Sequence, residues 1–183
     1  MSKFKIDKSS KNQEIQEIYG FHSVIAALEN SNRKHIKLSI IEKYSYLATR
    51  YRNKVPEIKI IDQKEMSKIY GRENTYQGIV LESYSINQID FEQLILNEKI
   101  KEKSILIILD QIKDPQNIGS IMRSCALFDC AAIIVGKDNS PELTSSLYKS
   151  ASGAVEIVNY FRVTNIRRAI SFLKKNNYWI YGF

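Results

Sequence analysis

The 183 residues predict an α/β protein of two consecutive units, a small N-terminal α/β/α sandwich followed by a unit built on a parallel sheet. Two observations carry this. Apolar runs of strand length alternate with helical stretches along the chain, as βα layering requires. The unbroken run Ile105 to Leu109 suits a parallel strand covered on both faces. The expected layout is a flexible arm over 1–16, a first unit over 17–83, a connector over 84–103 and a second unit over 104–183.

Residues 1–16 are polar and charged without apolar period. From Gly20 to Glu29, the apolar positions Phe21, Val24, Ile25 and Leu28 mark a helix ended by Asn30-Ser31-Asn32. Ile36 to Ile41 reads as a strand, Tyr44 to Lys54 as a helix stopping before Pro56, and Ile58 to Ile61 as a strand. Lys64 to Tyr70 reads as a short helix and Gly78 to Leu81 as a strand, which together give a parallel or mixed sheet. The connector holds one helix around Phe91 to Asn97. In the second unit, strand Ile105 to Leu109, helix Ile118 to Phe128 and strand Ala131 to Val135 form a βαβ unit. Ser140-Pro141-Glu142 reads as a helix start, Val155 to Val158 as a third strand, Thr164 or Asn165 as the cap of a further helix, and Tyr178 to Phe183 as a fourth strand.

The densest chemistry lies where the first strand of that second unit meets its helix. Asp110 sits at the strand's carboxyl end, where open α/β sheets bind ligands. Asn117 is placed to cap the helix, and Pro115 stiffens the approach. Ile118, Ile121, Met122 and Cys125 share the face turned to the sheet, leaving Arg123 on the other side. Gly119 carries no side chain to block another backbone or a ligand. Taken singly, Asn117 reads as a cap and Arg123 as a solvated arginine; the cluster is more specific than its members.

Asp110, Asp114, Pro115, Asn117, Gly119 and Arg123 together resemble the first signature motif of the SpoU (TrmH) family of RNA ribose methyltransferases, within the SPOUT superfamily. Lys137-Asp138-Asn139-Ser140, Lys149 to Glu156 and Arg162-Val163-Thr164-Asn165 resemble the segments that follow it, in the expected order. Tyr19 to Val24 and Tyr76 to Val80 resemble the opening and closing of the small N-terminal domain carried by the subgroup that methylates a guanosine of 23S ribosomal RNA. The resemblance spans roughly residues 17 to 183 and implies a SPOUT-type second domain, S-adenosyl-L-methionine as cofactor, RNA as substrate and a homodimer with its site at the subunit interface. It assigns the arginine, here Arg123, to the reacting 2′-hydroxyl or its adjacent phosphate. Asn117 would orient that arginine or the ribose. It also implies two later segments, a Gly-Glu-rich turn and an Asn-Val-Ser-Val-Ala-type stretch, that build the cofactor pocket within a C-terminal trefoil knot. Neither occurs in the 183 residues, so the second unit is expected to be incomplete and to lack the knot, with cofactor-binding residues unknown in this chain. A truncated member, or the first part of an interrupted gene, would fit.

The net charge of +7 suits a polyanionic partner. Residues 1–83 hold 15 Lys and Arg against 10 Asp and Glu, making the first unit the expected RNA-gripping surface. Arg33, Lys34 and Lys37, with His35, and Arg50, Arg52 and Lys54, with Tyr51, put cations next to an aromatic able to stack on an unpaired base, or else form solvated faces. No apolar run reaches membrane-span length and the N-terminus lacks a signal peptide's apolar centre, so a cytoplasmic location is expected. Cys125 and Cys130, beside two distant histidines, give no metal-ligand spacing. No G-x-G-x-x-G follows a strand. Beside methyl transfer, the sequence leaves open an RNA-binding protein without catalysis and a remnant of a split gene.

Overall fold

The computed structural model describes residues 14–71, 76–86, 90–98 and 104–183. The first unit comprises β1 (Ile15–Tyr19), α1 (Phe21–Glu29), β2 (His35–Ile40), a 3₁₀ turn (Glu42–Tyr44), α2 (Tyr46–Tyr51), β3 (Glu57–Ile60), α3 (Gln63–Tyr70) and β4 (Ile79–Tyr84). Its sheet runs β1-β4-β2-β3, parallel only between β2 and β3, so it is mixed. The strand period of two sorts the side chains between layers. Ile18 and Leu81 pack with Val24, Leu28, Leu47 and Tyr51 on the α1–α2 side, while Tyr19 and Val80 meet Met66 and Tyr70 of α3 on the other.

β1 corrects the expected arm. Ile15 and Gln16 pair with Tyr84 and Ser83, because a five-residue strand gains a full ladder from β4 although its own alternation is too short to stand out from the polar residues before it. Residues 1–13 of that arm lie outside the described residues.

The second unit comprises α4 (Phe91–Glu98), β5 (Leu106–Leu109), α5 (Pro115–Leu127), β6 (Ala132–Gly136), α6 (Ser145–Ala151), a 3₁₀ turn (Ala154–Glu156), β7 (Asn159–Val163) and α7 (Ile166–Lys175). Its strands are all parallel in the order β5-β6-β7. Leu109, Ile133 and Val135 pack under α5 and α6; Ala132, Ile134 and Phe161 pack against Leu94 and Ile95 of α4 and Leu173 of α7. The connector's helix is therefore a layer of this unit.

Four local expectations are corrected. Helix α5 begins at Pro115, with Asp114 as its N-cap accepting a hydrogen bond from the Gln116 amide at 2.9 Å; Asn117 lies inside the first turn. Ser140 and Pro141 do not start a helix: the Pro141 carbonyl accepts from the Tyr160 hydroxyl at 2.9 Å, and Thr144 caps α6. Val155 and Val158 are drawn into the core around a 3₁₀ turn, and β7 begins only at Asn159. Residues 178–183 form no strand; Tyr178 and Ile180 lean on the α4–α7 side while Trp179, Tyr181 and Phe183 are exposed. No helix among the described residues is long and apolar enough to cross a membrane.

The two units share one continuous core. Val24, Ala27 and Leu28 of α1 belong to the same apolar cluster as Met122 of α5, Tyr148 and Ala151 of α6, and Ala154 and Val155 beyond it.

Candidate active site

The site is built around the start of α5. After β5 the chain turns through Gln111, whose φ of 58° is left-handed, and Asp114 then caps the helix with Pro115 at its start. Pro in the first turn loses no hydrogen bond and brings its φ preset, so the helix is nucleated next to the carboxyl end of β5. Ile118, Met122 and Cys125 are buried, which leaves Asn117, Ser120 and Arg123 exposed. Asn117 and Arg123 are both presented to solvent, six residues apart and so about 9 Å along the axis at 1.5 Å per residue.

Gly119 is required by its surroundings. A Cβ there would lie 2.2 Å from Ser150 Oγ and 2.8 Å from the Ser150 carbonyl carbon, so the bare backbone lets α6 close on α5. Of the two occupants the sequence allows at this glycine, another backbone or a ligand, the structure has the backbone of α6. Ser150 Oγ donates to the Pro115 carbonyl at 2.9 Å, and the Ser150 carbonyl accepts from Arg123 Nη1. A guanidinium on one of the last carbonyls of a helix is electrostatically favoured. Among the described residues Arg123 is held by one bond while its side chain stays exposed, and a guanidinium with five N–H donors keeps several for phosphate or ribose oxygens.

The basic residues divide. Arg33 is 4% exposed: its guanidinium donates to Glu156 Oε1 at 2.8 Å, Ser83 Oγ at 2.8 Å, the Tyr84 carbonyl at 3.0 Å and the Tyr148 hydroxyl at 3.0 Å. This corrects the expectation that Arg33 offers RNA an exposed cation; its partner carboxylate lies 123 residues away in the other unit. Lys37 is likewise committed, to Glu82 at 3.1 Å. Arg50 and Lys54 are exposed and share Glu29, whose carboxyl is held down to about 2, first by the hydrogen bond from Tyr51 and then by that from Lys54. Tyr51 is 1% exposed, so its ring is closed to base stacking, and burial and its bond to Glu29 push its hydroxyl up to about 12. The neighbouring Tyr46 is the exposed aromatic of that helix. Lys34 and Arg52 are exposed. Burial, with Arg33 and Lys54 adding, holds His35 below the usual histidine range.

At the carboxyl ends of β6 and β7, Arg162 reaches Glu142 and donates to the Lys137 carbonyl at 2.7 Å, tying the 137–142 loop to the sheet. Sequence reasoning missed this role of Arg162, and those of Ser150, Tyr148 and Glu156; the segment from Lys149 to Glu156 stood out only by resemblance. Cys125 and Cys130 are buried thiols, and burial beside Cys130 pushes Cys125 up to about 12. No group of three or more His, Cys, Asp or Glu able to hold a metal ion occurs among the described residues.

The sequence pattern of the SpoU rRNA Methylase family matches residues 104–183, and that described as RNA 2'-O ribose methyltransferase substrate binding matches residues 18–88. A 23S rRNA (guanosine-2'-O-)-methyltransferase RlmB of Neisseria meningitidis is 33% identical over 90% of the chain, which spans 67% of that protein. The chain belongs to the SpoU family. The corresponding RlmB of Coxiella burnetii is 30% identical over 92% of the chain, which spans 69% of it. Among solved structures, an AdoMet-bound rRNA methyltransferase from Sinorhizobium meliloti superposes with a TM-score of 0.64 at 20% identity, covering 88% of this chain. The SpoU methyltransferase AviRb from Streptomyces viridochromogenes superposes at 0.67 with 15% identity, covering 89%. At those identities they establish the fold, and the chain spans 59% of each of them. The α/β architecture matches the corresponding part of these methyltransferase structures.

The described residues fit one side of such a reaction. Arg123 and Asn117 are chemically suited to a ribose and its phosphate. Asp110, Gln111, Lys137 and Asp138, near the strand ends, are exposed, and Arg162 is committed to Glu142 and the Lys137 carbonyl. Among the described residues these polar groups do not form the apolar slot that an adenine ring needs.

Proposed function

We propose that this protein contributes the RNA-binding unit and the motif-arginine portion of a 2′-O-ribose methyltransferase acting on ribosomal RNA, with a 23S guanosine as target. The observation that carries this reading is Arg123, exposed on α5 and aimed by the Ser150 carbonyl. S-adenosyl-L-methionine, when bound, supplies an electrophilic methyl group. The chain's own residues act on the acceptor. A 2′-hydroxyl is a weak nucleophile that must be oriented and have its proton drawn off or polarised. Arg123 holds the hydroxyl or the adjacent phosphate by charge-assisted hydrogen bonds, and Asn117, six residues earlier, holds the ribose. Positioning of this kind can be worth roughly 7 to 11 kcal/mol. The exposed Lys34, Arg50, Arg52 and Lys54 grip the RNA backbone, and two copies of the chain form the working dimer.

The test is transfer of labelled methyl groups to a ribosomal RNA fragment by this chain joined to the part of its Neisseria meningitidis relative that it does not span, and by the Arg123→Ala variant of that protein. Loss of transfer with RNA affinity kept within about threefold is the expected result. Undiminished turnover by the variant would remove Arg123 from the site. Tight RNA binding with no transfer by either protein would point to the non-catalytic RNA-binding reading.

A further inference from the structure

The segment from Tyr148 to Glu156 touches the RNA-binding unit on one side and the motif helix on the other. Toward the first unit, Ser23 Oγ of α1 donates to the Tyr148 carbonyl at 2.7 Å, and Arg33 Nη2 donates to the Tyr148 hydroxyl at 3.0 Å. The same hydroxyl donates to Gln16 of β1 at 2.8 Å. Eight residues on, Glu156 takes both Arg33, at 2.8 Å, and Asn30 Nδ2, at 2.7 Å. Toward the motif helix, Ser150 accepts from Arg123 through its carbonyl and donates to Pro115 through its hydroxyl.

Two glycines remove slack from this arrangement. A Cβ at Gly119 would fall 2.2 Å from Ser150 Oγ, and one at Gly153, where φ is +93°, would fall 2.6 Å from Ala26 Cβ of α1. The end of α6 is thus wedged between α5 and α1, and close-packed interiors transmit displacement without absorbing it.

We infer that α6 and the turn after it couple the docked state of the RNA-binding unit to the aim of Arg123, with Arg33, Ser23 and Tyr148 as positioning residues for that guanidinium. The first unit then acts as a brace of the site as well as a grip on RNA. Loosening it at Tyr148 shifts the carbonyl, two residues on, that holds Arg123, and misplacing a reacting group by about 1 Å can cost on the order of a hundredfold in rate. This inference rests on the reading of Arg123 as the residue at the reacting hydroxyl.

The test reads Arg123 directly, through the side-chain Nε–H resonance of the arginine-labelled full chain, assigned by its disappearance in Arg123→Lys. Three proteins are compared with the parent: Ser23→Ala, Tyr148→Phe, and Arg33→Met with Glu156→Leu, which removes the buried pair without stranding a charge. The expected result is a displaced or broadened Arg123 resonance in all three. In the chain joined to the remaining part of its Neisseria meningitidis relative, methyl transfer should fall about 10- to 100-fold in kcat with KM for RNA unchanged. An Arg123 resonance identical to the parent's in the folded variants would overturn the coupling, as would a loss confined to KM. Should the double variant not fold, the two hydroxyl deletions decide. Full methyl transfer by Arg123→Ala would refute the site reading instead, and the resonance would still decide the coupling.

Discussion

Replacing Arg33 by Met should be among the most damaging single changes in the protein, and the size of the loss follows from what it leaves behind. The Arg33 side chain is 0% exposed and that of Glu156 4%, so Arg33→Met strands a buried carboxylate that among the described residues retains Asn30 as a neutral partner. It also takes a donor from Ser83, from the Tyr84 carbonyl and from Tyr148. Breaking a buried pair from one side costs about 3–5 kcal/mol, whereas replacing both charges by apolar residues is often neutral or stabilising by about 1–4 kcal/mol. Glu156→Leu alone should cost a similar amount, because it strands the guanidinium. In the double variant most of both losses should disappear, giving a coupling energy of at least about 3 kcal/mol in a double-mutant cycle. Urea denaturation of the parent, the two single variants and the double variant measures it. Single variants each costing under about 1 kcal/mol, or losses that simply add, would show that the pair is not the buried latch its geometry describes.

Three further outcomes follow from other sites. Gly119→Ala gains about 0.5–1 kcal/mol of helix propensity, but its methyl group meets Ser150 backbone and side-chain atoms that cannot swing away. Overpacking of about 1–3 kcal/mol and the strained Ser150–Pro115 bond should win, and a melting temperature at or above the parent's would refute this. Asp114→Ala should lose about 1 kcal/mol of stability as a lost cap, whereas Asn117→Ala, exposed within the first turn, should change stability by less than about 0.5 kcal/mol and reduce methyl transfer. Equal stability effects in the two variants would contradict the capping geometry. In Tyr51→Phe, the Glu29 carboxyl should rise from about 2 toward its ordinary 4.5 when titrated by NMR. Because the folded-state value is depressed, the stabilisation from Glu29 is present above about pH 4.5 and is lost as pH falls toward 2, so the acid limb of the stability curve should flatten in that variant.

The strands and helices with a clear period were legible within a few residues: α1, β2, β3, α3, β5 and α7 lie where the apolar spacing puts them. The start of α5 was written in the sequence as Asp114-Pro115, a cap followed by a first-turn proline. Asn117 reads as a cap because it precedes the first apolar residue, but the helix begins before its apolar face does. Ser140-Pro141 carries the same signature and starts nothing, since the contact with Tyr160 that occupies it comes from residues far along the chain. The fourth strand failed because an alternating pattern such as Tyr178 to Phe183 shows which side chains face inward, not whether a neighbouring strand supplies hydrogen bonds. At the site, the exposure of Arg123 followed from the helical period. The fate of Arg33 did not, because only the folded topology brings Glu156 to it; locally it is one more cation in a basic run.

The meeting of Gly153 with Ala26 bears on how freely the two halves of this chain can be recombined with those of its relatives. Their sequence patterns match as separate blocks, which invites a chimera cut between 86 and 104. A donor second block would nonetheless have to carry glycine at the position of Gly153, and a donor first block a hydroxyl at that of Ser23 and a guanidinium at that of Arg33 to meet Tyr148 and Glu156. Compatibility of a graft is therefore decided by a few side chains well away from the cut, and a swap that ignores them would join two intact halves that do not fit.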